Sequence, residues 1–198
     1  MKRLELKKDF FHGTLGNYVH QQYLVRRISP NEKATAITLI PKNASTTFRS
    51  HRIIANWRVS HWLHTKQSDF QEIAVLFRDP YQRWISGVTE YCHRVNEDPT
   101  TIDLDQIVFD EHTVAQSNYL YMLNPKKCIF FMLEDDGVNK INLAYNVLRD
   151  NKRDNVTAKE ISKAKVRDII LDIVGKDQEG KVKDYYKKDY MIMDKYYG

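Results

Sequence analysis

The sequence predicts an α/β fold with a central, mainly parallel sheet flanked by helices, on three observations. Short apolar runs at residues 35–40, 73–77 and 128–132 read as buried strands. Segments of helical periodicity lie between and after them, and a strand-helix-strand crossover brings the next strand in parallel. The first two runs each end in a turn carrying cations and hydroxyls, at the sheet edge where α/β proteins collect ligands.

Taken in order, residues 1–33 show no clean period and read as an irregular N-terminal cover, with a turn at Ser29-Pro30-Asn31. The first strand, Thr35 to Ile40, is followed by a helix expected over Thr46 to Trp57. Residues 58–70 read as a loop before the second strand, Ile73 to Phe77. Asp79 is a good N-cap and Pro80 a good first helical residue, so a helix should run to about Arg94 and stop at Asn96-Glu97-Asp98-Pro99. A short helix near Asp103 to Phe109, a helical piece from Thr113 to Met122 and a third strand at Cys128 to Met132 follow. Val138, Ile141, Ala144, Tyr145 and Leu148 repeat at helical spacing. So do Ile161, Ala164, Ile169, Ile170, Ile173 and Val174, behind a Thr157-x-x-Glu160 capping box. The Tyr- and Lys-rich tail from Lys181 to Tyr197 reads as helical.

At 198 residues, with 42% hydrophobic and 29% charged residues, the chain suits one domain over 1–198 and is neither disordered nor fibrous. No run approaches a membrane span, and the charged start Met1 to Asp9 lacks the apolar core of a signal peptide, so a soluble, cytoplasmic protein is expected. Cys92 and Cys128 have neither disulfide-framework nor zinc spacing and read as buried hydrophobes. A net charge of +5 favours anionic partners, a class that spans nucleotides, sulfated or phosphorylated substrates and nucleic acid.

Two stretches localise the cations. In Pro41-Lys42-Asn43-Ala44-Ser45-Thr46-Thr47, a lysine follows its strand directly and three hydroxyl residues stand at an expected helix start, where backbone N–H groups and the helix dipole would converge on an anion. No glycine is present and the lysine precedes the cradle, unlike the glycine-lysine loop of nucleoside triphosphatases. In the second stretch, Phe77 to Ser86, Arg78 ends its strand with a guanidinium that can fork onto a phosphate, and Ser86 offers a hydroxyl from the following helix. Each stretch alone also has a structural explanation: the hydroxyl triplet caps a helix, Arg78 pairs with a carboxylate, and Arg83 lies on the surface.

Together the two stretches resemble the signatures of sulfotransferases that use 3′-phosphoadenosine 5′-phosphosulfate (PAPS), closest to the carbohydrate sulfotransferase group of Golgi enzymes and their shorter bacterial relatives. Asp110-Glu111-His112 with Gln116 and Tyr119-Leu120, Phe130 to Glu134, and Tyr186-x-x-Asp189-Tyr190 are further matches, so the likeness runs from about residue 35 to the C-terminus. Asn43-Ala44 departs from it, because relatives often carry a glycine there. The resemblance implies a three-layer, P-loop-like sulfotransferase fold and PAPS as donor. Lys42 with Asn43, Ala44, Ser45, Thr46 and Thr47 would hold the 5′-phosphosulfate, and Arg78 and Ser86 the 3′-phosphate.

Transfer of a sulfuryl group needs an in-line approach, stabilisation of the leaving phosphate and a base for the acceptor proton. Lys42 suits the leaving-group side, and the backbone amides of Asn43 to Thr47 suit the sulfuryl and phosphate oxygens. The candidate bases are His112, in the downstream match, and His61 and His64, which fall between the two anion stretches. No carboxylate cluster calls for a metal. The expected partners are PAPS and a small-molecule, sugar or phenolic acceptor, or an amine, with neither nucleic acid nor membrane. The acceptor pocket falls to the least patterned segments, 1–33, 50–70 and 95–115. A nucleotide-dependent kinase of related fold would need Mg²⁺ and ATP. A non-enzymatic basic module for nucleic acid or glycan would use Trp57, Arg58, Trp62 and the Lys/Tyr tail.

Overall fold

The computed structural model describes residues 22–26, 33–49, 53–61, 70–120, 123–149 and 158–198. Five strands, β1 (Gln22–Arg26), β2 (Ala34–Thr38), β3 (Trp57–His61), β4 (Phe70–Phe77) and β5 (Cys128–Met132), form one sheet in the order β3-β1-β2-β4-β5. Five helices accompany them: α1 (Pro80–Val95), α2 (Gly137–Tyr145), α3 (Ala158–Ile173), α4 (Lys176–Tyr185) and α5 (Lys187–Tyr197). The chain is therefore α/β.

The sheet is mixed where the sequence predicts a mainly parallel one. β4 lies parallel to β2 and β5, as expected, but β1 is antiparallel to both β2 and β3. β1 falls in the segment read as irregular cover, and β3 in the segment read as a helix end and a loop. Five residues are too few to establish a period, and in β1 the buried pair Tyr23 and Leu24 is adjacent rather than alternating. Pairing with a strand on each side, rather than local pattern, makes this segment extended.

β4 is buried on both faces. Ile73, Val75 and Phe77 join one apolar cluster with Phe130, Tyr119, Leu120 and Ile192 of α5. Ala74 and Leu76 join a second with Ile129, Phe131 and Ile141 and Tyr145 of α2. That two-sided burial explains the unbroken apolar run that marked the strand in the sequence. Gly137 permits the approach of α2, since a Cβ there would lie 2.4 Å from the Met132 carbonyl oxygen. A third cluster joins α1 to α3 and α4 through Trp84, Ile85, Val88, Ile170, Val182 and Tyr186.

α1 forms as its caps predict. Asp79 accepts from the Gln82 N–H at 2.8 Å, Pro80 opens the first turn, and Asn96 closes the helix in the left-handed conformation at φ 57°.

The helix expected over Thr46 to Trp57 does not form. A single 3₁₀ turn, Thr47–Arg49, replaces its start, Ile53 bridges to Leu148, and Trp57 belongs to β3. The Trp57 indole is buried 5.2 Å from the Arg26 guanidinium, and its N–H donates to the Asn146 carbonyl. These tertiary contacts outweigh a helix preference already weak for consecutive β-branched residues such as Ile53 and Ile54.

The expected helix at Asp103 to Phe109 is likewise absent. Asp103 turns its carboxylate onto the Asp105 N–H, 3.0 Å away, and this local competition is what keeps aspartate out of helix interiors. In the piece read as helical from Thr113, a 3₁₀ helix covers Gln116–Leu120. Of the α2 positions, Ile141 and Tyr145 are buried as predicted, but Ala144 is exposed and Leu148 pairs beyond the helix end. Thr157 of the capping box lies outside the described residues.

The helical tail is divided at Tyr186, which is buried and donates its hydroxyl to the Thr113 carbonyl. The Tyr-rich tail thus packs inward. Cys92 and Cys128 are buried and free, and burial pushes the Cys128 thiol up to about 12. Among the described residues no helix is long and apolar enough to cross a membrane.

Candidate functional site

β2 and β4 are adjacent and parallel, so the turns that follow them leave the same sheet edge. Beyond β2 the chain enters a turn at Pro41 to Thr46 in which Lys42 (φ 67°) and Ala44 (φ 56°) are left-handed while Asn43 between them is not. Alternation of this kind is the backbone pattern of an anion-binding nest, but the Asn43 N–H expected to serve it donates instead to the Ile40 carbonyl at 3.2 Å, which leaves the amides that follow it to face an anion. The helix dipole expected behind Ser45, Thr46 and Thr47 does not form, because a three-residue 3₁₀ turn carries no appreciable macrodipole. Ser45 is buried, Thr47 half-buried and Thr46 exposed.

Gln116 fastens this turn to the end of β4. The buried Asn43 amide donates to the Leu76 carbonyl at 2.8 Å and to the Gln116 side-chain oxygen. That oxygen also accepts the Arg78 N–H at 3.0 Å, and the Gln116 amide nitrogen donates to the Arg78 carbonyl at 2.7 Å. One glutamine side chain thus pairs with the Arg78 backbone as a neighbouring strand would. Asp189 of α5 in turn fixes Gln116, accepting the N–H groups of Gln116 and Ser117 at 2.7 and 2.8 Å. Complete burial pushes the Asp189 carboxyl up, against the downward pull of those N–H groups.

Arg83 is buried, not on the surface. Its Nε donates to the Pro41 carbonyl at 3.0 Å and its Nη1 to the Val114 carbonyl at 2.6 Å, clamping the first turn to the segment before Gln116. Asn43, Arg83, Gln116 and Asp189 form the scaffold, and the remaining polar groups point at one another across it.

Arg78 Nη1 donates to the Lys42 carbonyl at 3.2 Å, so the two cationic turns touch. Arg78 Nε also faces Glu134 at 3.6 Å. The Lys42 ammonium meets Glu90 of α1 at 2.8 Å, and Lys163 of α3 reaches the same carboxylate oxygen. Desolvation pulls the Lys42 ammonium below the usual lysine range; Glu90 opposes the shift, and Lys163 and Arg78 add to it. Desolvation would raise the Glu90 carboxyl, yet hydrogen bonds from Lys163 and Lys42 hold it down at about 2.

Ser86 lies half-buried on α1, one turn from Gln82 on one side and from Glu90 on the other. Arg167 of α3 donates to the Gln82 side-chain oxygen at 2.8 Å. Lys42, Arg78, Lys163 and Arg167 therefore converge on one side of α1. Lys163, Arg167 and Glu90 are the participants that sequence reasoning missed. The i, i+4 spacing of the two α3 cations was the available signal, masked by the apolar stripe that marked α3 as core.

His112 Nδ1 stands 3.1 Å from the Asp110 carboxylate, which also accepts the His112 N–H at 2.7 Å and Arg94 at 2.7 Å. A carboxylate at Nδ1 orients the ring and leaves Nε2 to act as acceptor. The His112 backbone rests on Gly87, where a Cβ would lie 2.7 Å from the His112 carbonyl oxygen. Gly87, Glu90 and Arg94 follow one stripe of α1, so His112 and the Lys42–Glu90 pair occupy neighbouring stations on the same helix. The His61 backbone pairs with Gln22, whose carbonyl also accepts the Leu39 N–H, which places His61 at the sheet edge that leads to Lys42. His64 lies outside the described residues. Among the described residues no group of three or more His, Cys, Asp or Glu side chains is arranged to hold a metal.

No family model, no curated protein and no solved structure matches this chain.

Proposed function

We propose that this protein is a PAPS-dependent sulfotransferase, built on a P-loop-like sulfotransferase variant of the α/β arrangement and acting in the cytoplasm. The observation that carries the proposal is the contact between the two cationic turns, Arg78 Nη1 to the Lys42 carbonyl at 3.2 Å, at the shared end of parallel neighbours β2 and β4. A nucleotide with phosphate at both ends requires two anion sites within one nucleotide length, and strands ~4.8 Å apart supply that spacing. The free buried thiols of Cys92 and Cys128 suit a reducing compartment.

Lys42 and the amides that follow Asn43, from Ala44 to Thr47, hold the 5′-phosphosulfate, and Arg78 and Ser86 hold the 3′-phosphate. The acceptor hydroxyl or amine attacks sulfur in line. A bond from the acceptor atom to sulfur forms, the bond from sulfur to the bridging phosphate oxygen breaks, and 3′,5′-ADP leaves. Lys42 stabilises the charge that develops on the departing phosphate. The acceptor proton passes to a histidine; His112 is the first choice because Asp110 presets its tautomer, with His61 and His64 as the alternatives. No metal step is needed.

The test is transfer of radiolabelled sulfate from PAPS to a panel of phenols, sugars, amines and small alcohols. Label should appear on at least one class and disappear in Lys42→Ala. If Lys42→Ala transfers as well as wild type, the assignment of the first turn is wrong.

A further inference from the structure

The strongest unexplained feature is the pair of cations that α3 sends toward α1. Lys163 and Arg167 stand at i, i+4, on one stripe of α3, and contact Glu90 and Gln82 respectively, with Ser86 midway between those two on α1. Lys42, Arg78, Lys163 and Arg167 outnumber the acidic side chains that meet them among the described residues. Glu90 already serves both lysines, Glu134 faces Arg78, and Asp79 is occupied in capping α1. Among the described residues the hydrogen-bond acceptor of Arg167 is a neutral amide oxygen, and its charge disfavours that of Arg78. Cations held together in this way call for an anion, and the first turn of α1, between Arg78 and Gln82, adds the positive end of a 16-residue helix.

We propose that Arg167 binds the 3′-phosphate of the nucleotide together with Arg78 and Ser86, so that α3 forms the wall of the donor site. The claim rests on the sulfotransferase proposal. In the free protein the Gln82 oxygen holds the Arg167 fork in place, and the phosphate exchanges that neutral bond for a charge-assisted one. Lys163, sharing Glu90 with Lys42, stands at the 5′ end of the same site. The two α3 cations are thus divided between the two phosphates.

Calorimetric titration of 3′,5′-ADP and of 5′-AMP into wild type, Arg167→Gln, Arg167→Lys and Lys163→Met tests this division. Arg167→Gln should weaken 3′,5′-ADP roughly tenfold to a hundredfold and leave 5′-AMP unchanged. Arg167→Lys keeps the charge without the fork and should fall between, while Lys163→Met should weaken both nucleotides. Thermal unfolding of each variant establishes that it is folded. If Arg167→Gln does not fold, Arg167→Lys decides alone. A wild-type preference for 3′,5′-ADP that survives in the Arg167 variants overturns the role of α3 and leaves the sulfotransferase proposal standing. A wild type that binds both nucleotides equally sinks both.

Discussion

Glu90 holds the Lys42 ammonium at 2.8 Å and shares the same carboxylate oxygen with Lys163. A carboxylate between two ammonium groups keeps a lysine in place beside the nest without neutralising the cluster. It also makes Glu90 the residue through which acid should act on this corner of the fold.

The Glu90 carboxyl is depressed from 4.5 to about 2 in the folded protein. Its contribution to stability is therefore complete above pH 4.5 and is lost as the pH falls through about 2. Glu90→Gln should show a smaller loss of melting temperature than wild type over that interval. Parallel curves for the two proteins would mean that Glu90 is not held by its lysines.

Asp189→Asn presents an NH₂ group to one of two backbone N–H donors that now meet carboxylate oxygens, those of Gln116 and Ser117. Loss of a buried, charge-assisted bond costs about 1.5–3 kcal/mol. Urea unfolding should report a loss in that range. Because Gln116 carries the Arg78 backbone, nucleotide affinity should fall as well.

Ala44 sits at φ 56°, where a Cβ is disfavoured. Ala44→Gly should relieve that strain and raise stability by about 0.5–1 kcal/mol, whereas Ala44→Val should lower it. Chemical denaturation of the two variants distinguishes a strained turn from an indifferent one.

His112→Ala should lower kcat by roughly a hundredfold to ten-thousandfold with little change in the Km for PAPS. Asp110→Asn should lower kcat too, because the amide no longer fixes the ring through Nδ1. An undiminished kcat in His112→Ala would transfer the role of base to His61 or His64.

The parts legible in the sequence were those whose signal is local. β4 and β5 announced themselves because burial on both faces demands continuous apolar residues, and α1 because Asp79, Pro80 and Asn96 mark its ends. β1 and β3 were not legible, since Gln22–Arg26 and Trp57–His61 are extended only through pairing with each other and with β2. In the site, Lys42, Arg78 and Ser86 stood out as chemistry at strand ends and a helix start. Gln116 and Asp189 stood out only as matches to a family pattern, their bracing role invisible until α5 met the 3₁₀ turn. Lys163 and Arg167 were hidden by distance, more than seventy residues beyond their partners on α1.

The most direct test of the account is calorimetric comparison of 3′,5′-ADP with 5′-AMP on the wild-type protein. Two joined anion sites at Lys42 and Arg78 predict that the added 3′-phosphate tightens binding at least tenfold, a gain of ~1.4 kcal/mol or more. Equal affinity for the two nucleotides would contradict it.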